Sequence, residues 1–231
     1  MAGTHPEKQV PSLLAMAVIP LPVDESDPYI MIDIEGVYAG QAQFSNSGRM
    51  FALFSNQSEE ERVALFDLHT AELRVYPLYK MVKTVTFTPD DDILVVIHRK
   101  EVGPPTDPTD YENIADHSHG YSLLRVTDGY VKQQLTDALP EPFLIHPEGS
   151  RIYLLQRDDD YDVREVQIIY TDTFVVTTIA LGSPPVSMGF VPESDKIFVS
   201  QDHNSGRITF VDAYEGTQTI TGFELNDWII E

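Results

Sequence analysis

The sequence predicts an all-β fold built from a repeated unit of four short strands. The main evidence is a landmark made of an apolar residue, a short polar turn and a β-rich run. Its copies begin at Phe44, Phe87, Ile145 and Phe190, which lie 43, 58 and 45 residues apart. A repeat of this length with four strands is typical of one blade of a β-propeller.

A second landmark, an aliphatic strand that ends in a polar turn, recurs with the same period. Its four copies are marked by Asp67, Arg125, Tyr170 and Asp212, which lie 58, 45 and 42 residues apart. Within a repeat, β-branched and aromatic side chains alternate with period 2, and proline and glycine fill the turns. In the last repeat the predicted strands span 185–190, 195–200, 206–212 and 216–221.

The 58-residue interval indicates an insertion in one blade. Residues Glu101 to His119 are rich in Pro, Asp and Thr, which is typical of a loop. The flanking strands keep their spacing. The insertion is therefore predicted to lie between the second and third strands of its blade.

The predicted domain is a propeller over residues 12–231, preceded by a disordered lead-in at 1–11. Its full blades span approximately 37–81, 82–139, 140–184 and 185–221. Strand candidates at 13–19, 29–34 and 224–231 predict a partial blade, in which residues 12–36 combine with 222–231. The termini then give either a five-bladed closure or the C-terminal part of a larger propeller.

Composition excludes several classes of function. Asp and Glu number 37 against 15 Lys and Arg, so the net charge of -22 repels nucleic acid. The sequence has no cysteine, which excludes disulfides and thiolate chemistry. The apolar run Leu13 to Ile19 is too short to span a bilayer, and the first ten residues lack the pattern of a signal peptide.

The last repeat resembles the propeller repeats with a Tyr-Val-Thr-Asn signature, which occur in surface-layer and lactonase-like proteins. Phe190 to Glu193 matches the Phe-x-Pro turn of that family, Phe198 to Gln201 stands at the signature, and a Gly-x-Ile-x-Phe-x-Asp strand ends at Asp212. The resemblance covers about residues 37–221. It implies a propeller fold and an extracellular or periplasmic location.

Binding is expected at the face formed by the loops between second and third strands and between blades, where polar groups surround the mouth of the central channel. The candidate residues for binding a ligand or partner are His98, Arg99, Gln156, Arg157, Gln201 and His203.

Two weaker patterns suggest divalent cations. In the insertion, His117 and His119 with Asp116 supply ligand types that zinc accepts. Asp158, Asp160 and Asp162 bring carboxylates together in a way that suits calcium. Neither pattern follows an established metal-binding spacing.

The sequence contains no serine nucleophile elbow, zinc-binding HExxH helix, phosphate-binding glycine loop or dinucleotide fingerprint. The leading hypothesis is a non-catalytic binding or scaffold module that associates with a protein partner or with a second copy through one loop face. The alternative is a lactonase-like or other hydrolase with a metal at the channel mouth.

Overall fold

The computed structural model describes residues 14–19, 29–34, 37–56, 60–156, 163–214 and 216–222. These residues form four antiparallel four-stranded sheets and one two-stranded sheet. The predicted all-β fold of four full blades and a partial one is confirmed. The lead-in at 1–11 and the strand candidate at 224–231 lie outside the described residues.

The strands follow one another in sequence order within every sheet. The two-stranded sheet contains β1 (Leu14–Val18) and β2 (Ile30–Ile34). Blade 1 contains β3 (Gln41–Phe44), β4 (Met50–Phe54), β5 (Arg62–Asp67) and β6 (Glu72–Pro77). Blade 2 contains β7 (Val82–Phe87), β8 (Ile93–His98), β9 (His119–Arg125) and β10 (Val131–Thr136).

The remaining two sheets repeat this order. Blade 3 contains β11 (Phe143–Ile145), β12 (Arg151–Leu155), β13 (Glu165–Tyr170) and β14 (Val176–Ala180). Blade 4 contains β15 (Pro185–Phe190), β16 (Ile197–Gln201), β17 (Arg207–Asp212) and β18 (Gly216–Thr221). The four strands of blade 4 agree with the predicted ones to within two residues at each end.

The insertion lies between β8 and β9, as predicted, but it is not all loop. It contains a short helix, α1 (Tyr111–Asp116). The side chain of Asp110 accepts a hydrogen bond from the Glu112 N–H and so caps the first turn, and Ala115 is the buried residue of the helix. Within the described residues, no helix is long and apolar enough to cross a membrane.

Apolar clusters join each sheet to the next one. They form because side chains on a strand alternate between the two faces, so a blade can contact both of its neighbours. In chain order, the four clusters contain residues from both sides of an interface: Ile34 and Phe51, Phe54 and Leu94, Ile97 and Leu154, Tyr153 and Val199. The core of the protein is therefore a series of interfaces between blades.

The second strand of each blade shows how completely its faces are covered. Every residue of β4, β8 and β12 is buried. In β16 the pattern alternates, because Ile197 and Val199 face blade 3 whereas Phe198 and Ser200 are half-buried on the opposite face. A five-bladed closure and a larger propeller both stay predictions, and they differ in what covers this face of blade 4.

Polar contacts also connect the blades at the end that carries the turns between first and second strands, which we call the turn face. The carboxylate of Asp91 in blade 2 accepts hydrogen bonds from the backbone N–H groups of Asn46 and Ser47 in blade 1, at 2.6 and 2.9 Å. Partial burial acts to raise the pKa of Asp91, but the bonds from Ser47 and Asn46 outweigh it and hold the pKa below its usual value. This carboxylate ties two neighbouring turns together.

Asp91 makes this contact from the left-handed region, at a φ of 62°. The same turn position holds Gly48 in blade 1 and Gly149 in blade 3, for which a positive φ costs little. An aspartate tolerates this conformation better than most residues, because its short side chain can hydrogen-bond locally. In blade 2 the side chain also supplies the contact with blade 1.

Replacement of Leu94 by alanine tests whether packing between blades stabilises the fold. Leu94 is fully buried between blades 1 and 2, so we expect the free energy of unfolding to fall by about 2–5 kcal/mol. As a control, Val175→Ala removes atoms from a half-exposed side chain and should change the free energy of unfolding by no more than about 0.5 kcal/mol. Urea unfolding of both variants gives the comparison, and equal losses would contradict the argument.

Candidate functional site

The connections between second and third strands and those between blades lie at the same end of the sheets, because neighbouring strands are antiparallel. This end is called the loop face. Its described connections include residues 99–118, 137–142, 181–184 and 202–206, with 55–56, 60–61 and 78–81 beside the insertion. The candidate site is the part of this face formed by the insertion and the loop at 78–81.

A buried polar residue follows or ends the second strand of every full blade at the loop face. These residues are Ser55, His98, Gln156 and Gln201. His98 Nδ1 lies 3.2 Å from the carbonyl oxygen of Met81, and Gln201 Oε1 accepts a hydrogen bond of 3.1 Å from the Ser183 N–H. Both contacts fasten a second strand to the loop that leads into its own blade.

Three of the six residues predicted to bind at the channel mouth belong to this set of buried residues, and all three make internal contacts. His98 and Gln201 hold inter-blade loops, and Gln156 Nε2 donates to Glu165 Oε1 at 3.0 Å. Sequence reasoning selected a buried polar residue at this position in blades 2, 3 and 4. It did not reveal that the partner of each side chain is part of the same fold, so a binding role for these residues stays a prediction.

The other three predicted residues differ in their surroundings. Arg99 is half-buried, and its Nη1 donates to the backbone carbonyl of Asn56 at 3.0 Å. His203 is half-buried, and its Nδ1 accepts a hydrogen bond from the Ser205 N–H at 3.2 Å. Arg157 lies outside the described residues. Arg99 thus joins the loops of blades 1 and 2, whereas His203 shapes its own loop.

Ser122 and His98 form a pair that resembles a nucleophile and its base. The serine Oγ lies 2.7 Å from His98 Nε2, and the Met81 carbonyl orients the other ring nitrogen. Both residues are 0% exposed, however, so a substrate cannot reach the hydroxyl. Burial lowers the pKa of His98 to about 4, which leaves the ring neutral near pH 7. The geometry fits a buried hydrogen bond between β8 and β9.

The residues predicted to bind zinc lie at the end of the insertion. Asp116 ends α1, His117 Nε2 is 3.7 Å from Glu101 Oε2, and His119 begins β9. Burial, with repulsion from Glu61 and Glu101, raises the pKa of Asp116. Across the described ranges, no three His, Cys, Asp or Glu side chains are grouped in a way that could hold a metal ion.

The zinc hypothesis therefore stays a prediction with no coordination geometry to support it. The calcium hypothesis concerned Asp158, Asp160 and Asp162, which lie outside the described residues and also stay a prediction.

Lys80, in the loop between blades 1 and 2, was not singled out by the sequence. Its side chain is completely buried, and Nζ donates to the carbonyl oxygens of Ala115 at 2.5 Å and Asp116 at 3.5 Å. Burial lowers the pKa of Lys80 to about 8, although the carboxylates of Asp116, Glu101 and Glu61 oppose the shift. The lysine connects this loop to the last turn of α1.

Three large apolar side chains are exposed on the two segments that this contact joins, the loop at 78–81 and the insertion. Tyr79 is 71% exposed, Tyr111 is 68% exposed and Val102 is 99% exposed, and together they are called the insertion patch. Tyr79 has a φ of 53°, a left-handed conformation that is unfavourable for a bulky side chain and costs on the order of 1–3 kcal/mol. Sequence signals for an exposed tyrosine are weak, because tyrosine is equally common in cores.

No family model matches the sequence, and no curated protein matches it. Similar folds are found among solved structures. A eukaryotic initiation factor has 10% identity and a TM-score of 0.55, with 94% of this chain and 54% of that chain covered.

Hydrazine synthase of Kuenenia stuttgartiensis has 16% identity and a TM-score of 0.46, with 82% of this chain and 60% of that chain covered. TolB from Acinetobacter baumannii has 14% identity and a TM-score of 0.43, with 85% and 47% covered. The chain thus spans between 47% and 60% of the length of these three solved chains.

The likeness to the initiation factor supports the fold alone, since the identity is low. Together with the four four-stranded sheets, it defines the chain as a protein with a β-propeller fold. Membership of the Tyr-Val-Thr-Asn group of propellers stays a prediction.

The buried position of His98 predicts a specific sensitivity to acid. In the unfolded chain its pKa is the ordinary 6.5, whereas in the folded protein it is about 4, so the unfolded state binds more protons between these values. The stability that depends on neutral His98 is present above pH 6.5 and is lost as the pH falls toward 4. We expect a loss of about 1.4 kcal/mol per pH unit within that window.

Replacement His98→Gln isolates this contribution, because glutamine does not titrate and other acid-sensitive groups are common to both proteins. Urea unfolding between pH 7.5 and 4.5 should show a steeper decline for the unmodified protein than for the variant. Parallel declines would contradict a neutral, buried His98.

Proposed function

We propose that the protein is a non-catalytic β-propeller module that binds a protein partner, or a second copy of itself, through the loop face that carries the insertion. The observation that supports this proposal most directly is the insertion patch. It places Tyr79, Val102 and Tyr111 in water beside a loop that a buried lysine fastens to α1.

Exposed apolar side chains are common singly, but in this patch two tyrosines occur on segments that Lys80 connects directly. Tyrosine provides a large contact area with few rotatable bonds, and it is enriched at protein interfaces. The left-handed backbone at Tyr79 adds a second argument. Strain of this kind persists where the surrounding structure enforces it, and it occurs often at functional sites.

The charges around the patch favour a partner with positive charge. Glu101, Asp110 and Glu112 are exposed in the same insertion, within a chain whose net charge is -22. Complementary charge would speed association and select among partners more than it would strengthen binding. The apolar side chains would then supply most of the affinity.

The buried polar residues of the loop face are consistent with a binding role. His98 and Gln201 use their hydrogen-bonding groups within the fold, His98 with Ser122 of β9, which leaves the chemistry of this face to its exposed tyrosines and carboxylates. An extracellular or periplasmic location, which the family resemblance implies, is part of the same proposal.

Site-specific photocrosslinking tests the proposed face. A benzophenone amino acid at position 79 or 111 should give a discrete adduct, either with a second copy in a pure sample or with one protein in extracts of the host. In extracts, the adduct from position 111 should decrease at least fivefold when Tyr79→Ser is added, because the two side chains would contact the same partner.

Position 214 is the matched control. Tyr214 is 78% exposed but lies in a turn on the turn face, so the same probe there should give no discrete adduct. Equal adducts from positions 111 and 214, or none from positions 79 and 111, would overturn the proposal.

A further inference from the structure

Lys80 is unusual because its charged group is buried and no carboxylate of the described residues lies within salt-bridge distance of it. Moving an ammonium out of water is unfavourable unless hydrogen bonds and nearby charges compensate for the lost hydration. Lys80 is 0% exposed, and its compensation comes from the carbonyl oxygens of Ala115 and Asp116. These oxygens belong to the last turn of α1.

The end of a helix has a particular need for such a donor. Its last carbonyl groups lack partners within the helix, and they carry the negative end of the helix dipole. The last turn of α1 contains no basic residue of its own. Lys80 supplies the missing cation from a different part of the chain, 35 residues before Ala115.

The contact also lies where the insertion returns to the blade. The Glu101 N–H donates to the carbonyl oxygen of Asp116 at 2.8 Å, which joins the start of the insertion to the end of its helix. Lys80 approaches the same oxygen. Tyr79 precedes Lys80 in the chain and Tyr111 begins α1, so the lysine links two of the three members of the insertion patch.

We infer that Lys80 is a positioning residue, whose ammonium fastens α1 to the loop at 78–81 and holds Tyr79 and Tyr111 in the arrangement that binds a partner. The binding part of this inference rests on the proposed function. The fastening itself does not, and it can be measured on the isolated protein.

Hydrogen–deuterium exchange, corrected for the intrinsic rate at each pH, measures the opening of residues 101–118. In Lys80→Met at pH 7, we expect opening of this segment to increase at least tenfold. The matched control is Lys132→Met, which removes a half-buried lysine that donates to the Phe174 carbonyl oxygen in another part of the molecule. The control should leave the exchange of 101–118 unchanged.

Global stability separates positioning from general support of the fold. The contact exists only while the insertion is closed, so urea unfolding of Lys80→Met should show a loss no larger than the one that the change in opening implies, about 1.4 kcal/mol for a tenfold change. Loss of protection spread evenly over all blades would contradict a positioning role.

Lys80→Gln is the second variant, and it decides the matter where Lys80→Met does not fold. Glutamine is shorter and carries no charge, so the opening of residues 101–118 should again increase at least tenfold, because the contact of Lys80 with the carbonyl oxygens of Ala115 and Asp116 is lost. Strand β10, which carries Lys132, should exchange as in the unmodified protein. Opening of the insertion that stays unchanged in the variant that folds would overturn the inference.

Crosslinking separates the two proposals. If a probe at position 111 gives an adduct that Lys80→Met does not reduce, the proposed function stands and Lys80 does not position the patch. If Lys80→Met opens the insertion but position 111 never gives an adduct, the fastening is real, whereas the proposed function and the binding role of Lys80 both fail.

Discussion

The constraint on which the structure depends is that each four-stranded sheet has two apolar faces, and each face needs a neighbour. Burial at every position of β4, β8 and β12 follows from it, because odd and even residues pack against different blades. The clusters between blades are thus the hydrophobic core. Since packing occupies the flat sides of the sheets, the polar contacts between connections lie at their two ends.

The two ends use polar residues differently. At the turn face, carboxylates of one blade bind the turn of the blade before it: Asp91 accepts from Asn46, and Asp195 lies beside His146 and Arg151. At the loop face, uncharged side chains such as His98 and Gln201 bind the loop that leads into their own blade. The first arrangement fixes how neighbouring blades align, and the second closes the ends of the sheets.

The sequence predicted the parts of the fold that depend on local pattern. The spacing of anchors such as Phe87 and Phe190 was enough to place the strands and the insertion, because turns and alternation are encoded within a few residues. Roles at the loop face depend on contacts between distant residues. His98 binds Met81, 17 residues away, and Lys80 binds Ala115, so neither partner could be read from the pattern around one residue. α1 was missed because its six residues are shorter than any window that detects helical periodicity.

The position of the insertion explains why a lysine in a different connection meets its helix. In this topology the loop between the second and third strands of a blade lies beside the loop that enters the same blade. The contacts of His98 with Met81 and of Gln201 with Ser183 show this neighbourhood in two blades. A long insertion after β8 must therefore pass over residues 78–81, where Lys80 bonds the end of its helix. The fold itself thus brings Tyr79 and the insertion together, and the lysine determines how firmly they are held.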